Sequence, residues 1–359
     1  MKPSFWRGKR VLLTGHTGFK GSWLALWLHT LEAEVVGYAL PPEHEHALFS
    51  LARVSDTLTS IEGDVRDAEH LARVVRDHEP EVVLHLAAQA LVRPSYRRPV
   101  ETYATNVMGT AHLLDAVRLT SAPPRAVLCV TSDKCYENRE TDVPYREDDP
   151  MGGADPYSSS KGCAELVTSA YRRSYFPPDR VRQHGVVVAS ARAGNVIGGG
   201  DWATDRLVVD VLSAYLEGRR PLIRNPHAVR PWQFVLEPLA GYLQLVQHAY
   251  DAPEEVAGGW NFGPVLADCQ PVSALVDGLA QAWGEGASWE RDQRVHAHEA
   301  RLLLLDAAKA HRELGWRPRY DLRDAIGNTV EWYRAHQRGD DMASFTRRQI
   351  HAYQELVTA

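Results

Sequence analysis

Short runs rich in Val, Leu and Ala recur through the first half of the chain, each followed by a longer stretch with apolar residues at helical spacing. The runs at 10–14, 34–39, 58–63, 81–87, 126–132 and 185–192 read as strands. Strands alternating with helices require right-handed crossovers, and so a parallel sheet covered on both faces. The expected fold class is α/β: a doubly wound parallel sheet with a smaller C-terminal α/β domain.

After Asn195 the rhythm changes. Gly198-Gly199-Gly200-Asp201 is followed by a helical pattern near 205–217 and short strand patterns near 222–224 and 229–235. A helical pattern at 238–250 reads as a return to the first unit. The division this predicts is 1–192 for the first domain, rejoined by about 229–258, with 193–228 and 259–359 forming the second.

Composition narrows the classes. With 359 residues, 44% hydrophobic and 24% charged, the chain is an ordinary globular one, long enough for two domains. A net charge of −6 and the lack of any dense Lys/Arg block argue against nucleic acid or an anionic membrane as the main partner. The start MKPSFWRGKR is charged where a secretory segment is apolar, and the apolar stretch Trp23 to Leu31 is interrupted by His29, so no membrane segment is expected. Four cysteines without C-x-x-C spacing suggest reduced thiols and a cytoplasmic protein.

The candidate chemistry sits at strand ends. Gly15-His16-Thr17-Gly18-Phe19-Lys20-Gly21 follows the first strand and opens a helix. Glycines there let the backbone approach a pyrophosphate, whose charge is favoured by the helix N-terminus. Gly15, Thr17, Gly18, Phe19, Lys20 and Gly21 are therefore candidate cofactor residues of a Rossmann-type domain. The second strand ends in Gly37-Tyr38-Ala39-Leu40 without the acid that meets an NAD ribose, yet no Arg or Lys follows before Arg53 to pair a 2′-phosphate. NAD is favoured over NADP, with Lys20 as the counter-argument. Asp64 and Val65, ending the third strand, are candidates to meet the adenine; a helix cap before Arg66 is the plainer reading of Asp64.

Tyr157 and Lys161 lie one helical turn apart, so the ammonium can flank the phenol. A cation ~4 Å from the phenolate at an effective dielectric of ~20 contributes about 4 kcal/mol, which predicts a Tyr lowered from ~10 towards neutrality. Ser132 ends a buried strand, where it can share a hydrogen bond with Tyr157 and a substrate oxygen. The residues that follow it are unusual for simple redox work: Asp133 and Lys134 offer a carboxyl and an amine, which suggests oxidation followed by elimination. Arg192, Arg206, Arg219, Arg220, Arg224 and Arg230 are spread further along the chain, and Arg206 and Arg230 are the candidates to grip a diphosphate, with Asn195 as a neutral donor. His296-x-His298-Glu299 is too small a ligand set for a metal site, so no metal is expected.

Together these motifs resemble the extended short-chain dehydrogenase/reductases that modify nucleotide sugars, and among them the 4,6-dehydratases. The strings that carry the likeness include Thr14 to Trp23, His85 to Gln89, Thr131 to Tyr136, Arg192 to Trp202 and Val229 to Gln233. The resemblance implies that Leu86, Ala87, Ala88 and Gln89 line the NAD site and that the substrate is CDP-glucose. It further implies that Tyr157 accepts the sugar 4-hydroxyl proton, Asp133 donates to the departing 6-hydroxyl, and Lys134 removes the carbon 5 proton. A homodimer or homotetramer, built through helices near 100–119 and 156–176, is implied as well. A 4-epimerase shares the fold and the Tyr/Lys pair but has no use for an Asp-Lys doublet; a non-catalytic NAD-sensing protein would be expected to lack Tyr157 or Lys161.

Overall fold

A computed structural model describes residues 1–294 and 300–358. Its centre is a seven-stranded sheet of β1 (Arg10–Thr14), β2 (Glu34–Ala39), β3 (Thr59–Glu62), β4 (Val82–His85), β5 (Ala126–Val130), β6 (Val187–Ala193) and β10 (Gly259–Phe262). The sheet is wholly parallel, in the order β10-β6-β5-β4-β1-β2-β3. Six of its strands match runs visible in the sequence.

Period-two alternation assigns the strand side chains to two cores. Val11, Leu13, Leu84, Leu128 and Ala189 enter one, together with the helices Phe19–Thr30 and Leu236–Asp251. Leu12, Val83, Val127, Cys129 and Val188 enter the other, under the helices Ala68–His78, Gly109–Leu119 and Pro156–Ser174. The helix Phe19–Thr30 is buried continuously from Gly21 to Leu28, which accounts for the apolar stretch noted above: it is a core helix clad on all sides. Among the described residues no helix is long and apolar enough to cross a membrane.

The remaining strands form two small sheets. β7 (Asn195–Ile197), β9 (Val229–Phe234) and β11 (Cys269–Pro271) make one, in the order β11-β9-β7; β8 (Leu222–Ile223) pairs with β12 (Glu290–Arg291) in the other. Two strands lie on the opposite side of the expected division. β9, assigned to the rejoining 229–258 segment, pairs with β7 and β11 of the small sheet. β10, assigned to the second domain, is the edge strand of the large sheet beside β6. Trp260 and Phe262 are fully buried there, and a four-residue apolar strand does not encode locally which sheet will cover it. Within 229–258, the helix Leu236–Asp251 packs into the core that also holds Val11, Leu84 and Leu128.

The helical run near 100–119 is also subdivided. Pro99–Tyr103 passes through a π-helical segment, Ala104–Met108, into Gly109–Leu119. Such bulges often mark functional sites, and this one presents Asn106 to the strand-end loops.

Candidate active site

Strand order reverses between β1 and β4, the position where open α/β sheets open a crevice at the C-terminal ends of their strands. Both cofactor loops meet there. Gly15 has φ +77°, and a Cβ on it would lie 2.7 Å from the Ala87 backbone nitrogen. A Cβ on Gly21 would lie 2.0 Å from the Gly15 carbonyl oxygen. Only glycine allows the loop to fold this closely onto its own helix and onto the 86–89 segment. Gly18 is the N-cap of the helix Phe19–Thr30, and Thr17 Oγ1 donates to the Leu40 carbonyl at 2.9 Å, fixing the loop to the end of β2.

The segment after β4 is held just as firmly. Ala87 N donates to Thr14 Oγ1 at 3.2 Å, and Thr14 Oγ1 also meets His85 Nδ1 at 2.7 Å. The Gln89 amide donates to Asn106 Oδ1 at 2.8 Å, and Asn106 Nδ2 donates to Ser160 Oγ at 2.8 Å. Leu86 pairs through its amide with the Thr14 carbonyl, and Ala88 lies half-buried between Ala87 and Gln89. Sequence reasoning passed over His16, which is fully buried with Nε2 2.7 Å from Ser60 Oγ. Burial pulls its pKa down to about 4, so it is neutral.

Asp64 and Val65 make contacts within the chain. The Asp64 carboxylate accepts from the Arg66 amide and guanidinium; the cap of the following helix is Asp67, accepting from the His70 amide at 2.9 Å. Val65 is buried against the sheet, and its carbonyl meets His112 Nδ1. Lys20 is oriented electrostatically to the reaction centre: burial brings its pKa down to about 7, with Arg206 and Lys161 adding to the shift and Asp133 opposing it.

Ser132 follows the end of β5 and caps the short 3₁₀ turn Asp133–Cys135. Its hydroxyl donates to Asp133 Oδ1 at 2.9 Å and accepts from the Lys134 amide at 3.3 Å. Asp133 is 2% exposed, and its Oδ2 has no hydrogen-bond partner. Burial raises the Asp133 pKa, against the Lys134 charge and the Ser132 hydrogen bond. Two lysine side chains approach the Tyr157 ring: Lys134 Nζ is 5.7 Å from its centroid and Lys161 Nζ 6.0 Å. Asp155 caps the helix Pro156–Ser174 that carries Tyr157 and Lys161, accepting from the Ser158 amide.

One electrostatic expectation fails. Tyr157 is not brought towards neutrality; burial pushes it up to about 12, with Ser132 pulling the other way. Lys161 is itself drawn down to about 8 by burial. The solvent lost by both groups outweighs the attraction between them.

Arg206 and Arg230 both border this centre. Arg206 pairs with Asp201 at 2.5 Å and interacts electrostatically with Tyr157. Arg230 donates to the Val229 and Ala300 carbonyls and interacts with Asp133. Asn195 begins β7, opposite Trp232 of β9. Arg219 and Arg220 instead pair with Glu217 and Glu290 at the surface. Arg192 is buried in an ion pair with Glu165. The residues His296, His298 and Glu299 lie outside those described; among the described residues no group of three or more His, Cys, Asp or Glu could hold a metal.

A glycine cradle at a helix N-terminus, a Tyr/Lys pair and an acid-base doublet at one crevice define a dinucleotide-dependent enzyme that handles both a hydride and protons. The sequence from residue 12 to 329 matches the GDP-mannose 4,6 dehydratase family model, and the chain belongs to that family. It is 51% identical over 355 residues to a CDP-glucose 4,6-dehydratase of Salmonella typhimurium, covering 99% of each chain. A dTDP-glucose 4,6-dehydratase of Streptomyces antibioticus is 30% identical over 334 residues, 90% of this chain and 92% of its own. Among solved structures, a dTDP-glucose 4,6-dehydratase of Streptomyces venezuelae with NAD bound superposes with a TM-score of 0.76 at 25% identity, covering 93% of this chain and 99% of its own. A UDP-glucose 4-epimerase of Thermotoga maritima shares the fold, with a TM-score of 0.77, 23% identity and coverage of 91% and 99%.

Proposed function

We propose that the protein converts CDP-glucose to CDP-4-keto-6-deoxy-glucose and water. The observation that carries this reading is the buried Asp133, with Oδ2 unpartnered, beside Lys134 over the Tyr157 ring. The 51% identity to a CDP-glucose 4,6-dehydratase over nearly the whole chain supports the choice of substrate.

The cradle of Gly15, Thr17, Gly18 and Gly21, closed by Leu86 to Gln89, fits a dinucleotide, and Lys161 with Tyr157 would flank its nicotinamide end. NAD bound there would supply the redox chemistry, as hydride acceptor for the oxidation and hydride donor for the final reduction. Tyr157 accepts the 4-hydroxyl proton once it has lost its own, a loss that burial opposes and that the positive charge of bound NAD would favour. The ketone acidifies carbon 5, and Lys134 removes that proton. Asp133 enters protonated, the form burial favours, and gives its proton to the 6-hydroxyl, which leaves as water. When Lys134 returns its proton to carbon 5, Tyr157 holds one proton more and Asp133 one fewer than at the start. Ser132, hydrogen-bonded to Asp133 and close enough to Tyr157 to lower its pKa, offers the path that restores them. Arg206 and Arg230, whose charges act on Tyr157 and Asp133, would meet the diphosphate, with Asn195 as a neutral donor.

Exposed Val100, Tyr103, Met108 and Leu166 lie on the helical faces expected to meet a second copy, which supports a homodimer or homotetramer. The test of the function is mass spectrometry of products from CDP-, dTDP-, UDP- and GDP-glucose with NAD. Loss of one water with CDP-glucose foremost is expected; an isomer of unchanged mass would make it an epimerase instead.

A further inference from the structure

The Ser132-Asp133-Lys134 tripeptide is short, and in a two-stage reaction its acid and base must be held in register with carbons 5 and 6. The residues flanking it are both tethered. Thr131, on its N-terminal side, donates from Oγ1 to Glu165 Oε1 at 2.5 Å. Tyr136, beyond its C-terminal side, accepts from Arg192 Nη1 at 2.7 Å and donates to Asn261 Oδ1 at 2.7 Å. The two anchors are joined to one another: Arg192 Nη2 lies 2.8 Å from Glu165 Oε2, with both side chains at most 6% exposed. Ser190 Oγ donates to the same carboxylate at 2.7 Å, and the Arg192 guanidinium stands 5.1 Å from the Tyr136 ring centroid.

Burial would raise the Glu165 pKa, but the Arg192 charge and the hydrogen bonds outweigh it and hold the carboxyl below its ordinary value. Glu165 also lies on the helix of Tyr157 and Lys161, eight and four residues beyond them, and its charge favours the ammonium form of Lys161. The pair therefore sits behind both halves of the site. An ion pair this deep is weak evidence for stability, since desolvation offsets its attraction; its geometric result is a fixed distance between two points of the loop.

We propose that Glu165 and Arg192 form a buried clamp that grips Thr131 and Tyr136, and so sets the register of Asp133 and Lys134 for elimination, while oxidation at carbon 4 depends on Tyr157 and Lys161. The four members of the clamp are positioning residues; none is required to touch the sugar. The inference rests on the proposed dehydration, and it names a function for residues that the reaction scheme leaves unused. A misplacement near 1 Å is enough to cost about a hundredfold in rate.

The tethers can be cut singly with the ion pair left intact, by Thr131→Val and Tyr136→Phe. Single-turnover reactions with CDP-glucose are followed by reduced-nicotinamide absorbance, for oxidation, and by mass and carbon 5 deuterium from heavy water, for elimination. The expected result is elimination slowed at least about tenfold relative to oxidation in each variant, so that reduced cofactor persists, with KM within about threefold and Thr131→Ser restoring the ratio. Hydrogen exchange of the amides of residues 131–136 should rise in Thr131→Val. Equal slowing of both stages, or no slowing of either, overturns the clamp. Failure of the wild-type protein to release water would instead overturn the function on which it rests, and that is read in the same assay.

Discussion

Replacing Asp133 by Asn separates the acid role of that carboxyl from everything else it does. Asp133 Oδ1 accepts from Ser132 at 2.9 Å, and an amide oxygen can keep that bond, whose net contribution is about 0.5–1.5 kcal/mol. Oδ2 has no partner to lose. The substitution should therefore cost little in folding. Linkage points the same way: because burial raises the folded-state pKa of this acid, the stability tied to its protonation is present at low pH and lost as pH rises through that pKa. An amide carries no such dependence, so the variant should match or exceed wild-type stability at neutral pH. Activity should behave in the opposite way. A general acid contributes roughly 10²–10⁴-fold, about 3–5 kcal/mol of barrier. The assay is product mass and deuterium content after incubation in heavy water, with thermal unfolding as the stability control. Asp133→Asn should leave carbon 4 oxidation and carbon 5 exchange within about tenfold of wild type while water loss falls at least about a hundredfold. Water loss within about threefold of wild type would refute the assignment of Asp133 as the acid.

Other outcomes follow from the same geometry. Tyr157→Phe should abolish cofactor reduction by CDP-glucose while leaving NAD affinity, measured by calorimetry, within a few-fold. Lys134→Ala should stop deuterium entering carbon 5 once the ketone has formed; exchange at the wild-type rate would remove its role as base. Gly21→Ala places a Cβ 2.0 Å from the Gly15 carbonyl oxygen, so it should cost about 1–3 kcal/mol of stability and weaken NAD binding, read by thermal unfolding with and without cofactor. Lys161, with its pKa drawn down to about 8, is an ammonium below that pH and a neutral amine above it; the oxidation rate should fall as pH passes about 8, and Lys161→Arg should move that limb of the profile upwards.

Local spacing made much of the site legible. The glycine loop, the Tyr157/Lys161 turn and the Ser132 strand end depend on contacts within a few residues, and the order strand, loop, helix fixed where each would appear. What the sequence hid was non-local or collective. The placement of β9 and β10 depends on which strands they pair with, β7 and β11 for one and β6 for the other, which their short apolar patterns do not specify. The pKa of Tyr157 depends on total burial, whereas its spacing from Lys161 speaks only of one neighbour. Arg192 looked like one of several free cations because its partner Glu165 lies on another element.

The position of β10 has a consequence for how the protein is made. Its strand order means that the nucleotide-binding sheet cannot acquire its last member until the chain has passed through the small-sheet segment and emerged to residue 262. Until then β6 presents an open edge, and Tyr136 lacks its Asn261 acceptor. A nascent chain in that state carries the kind of unpaired edge that recruits other strands, and closing it requires a long-range pairing, which is intrinsically slow. The last strand to join therefore completes the sheet and secures the catalytic loop in one event, so a chain truncated before it should lack both a protected edge and a set active site.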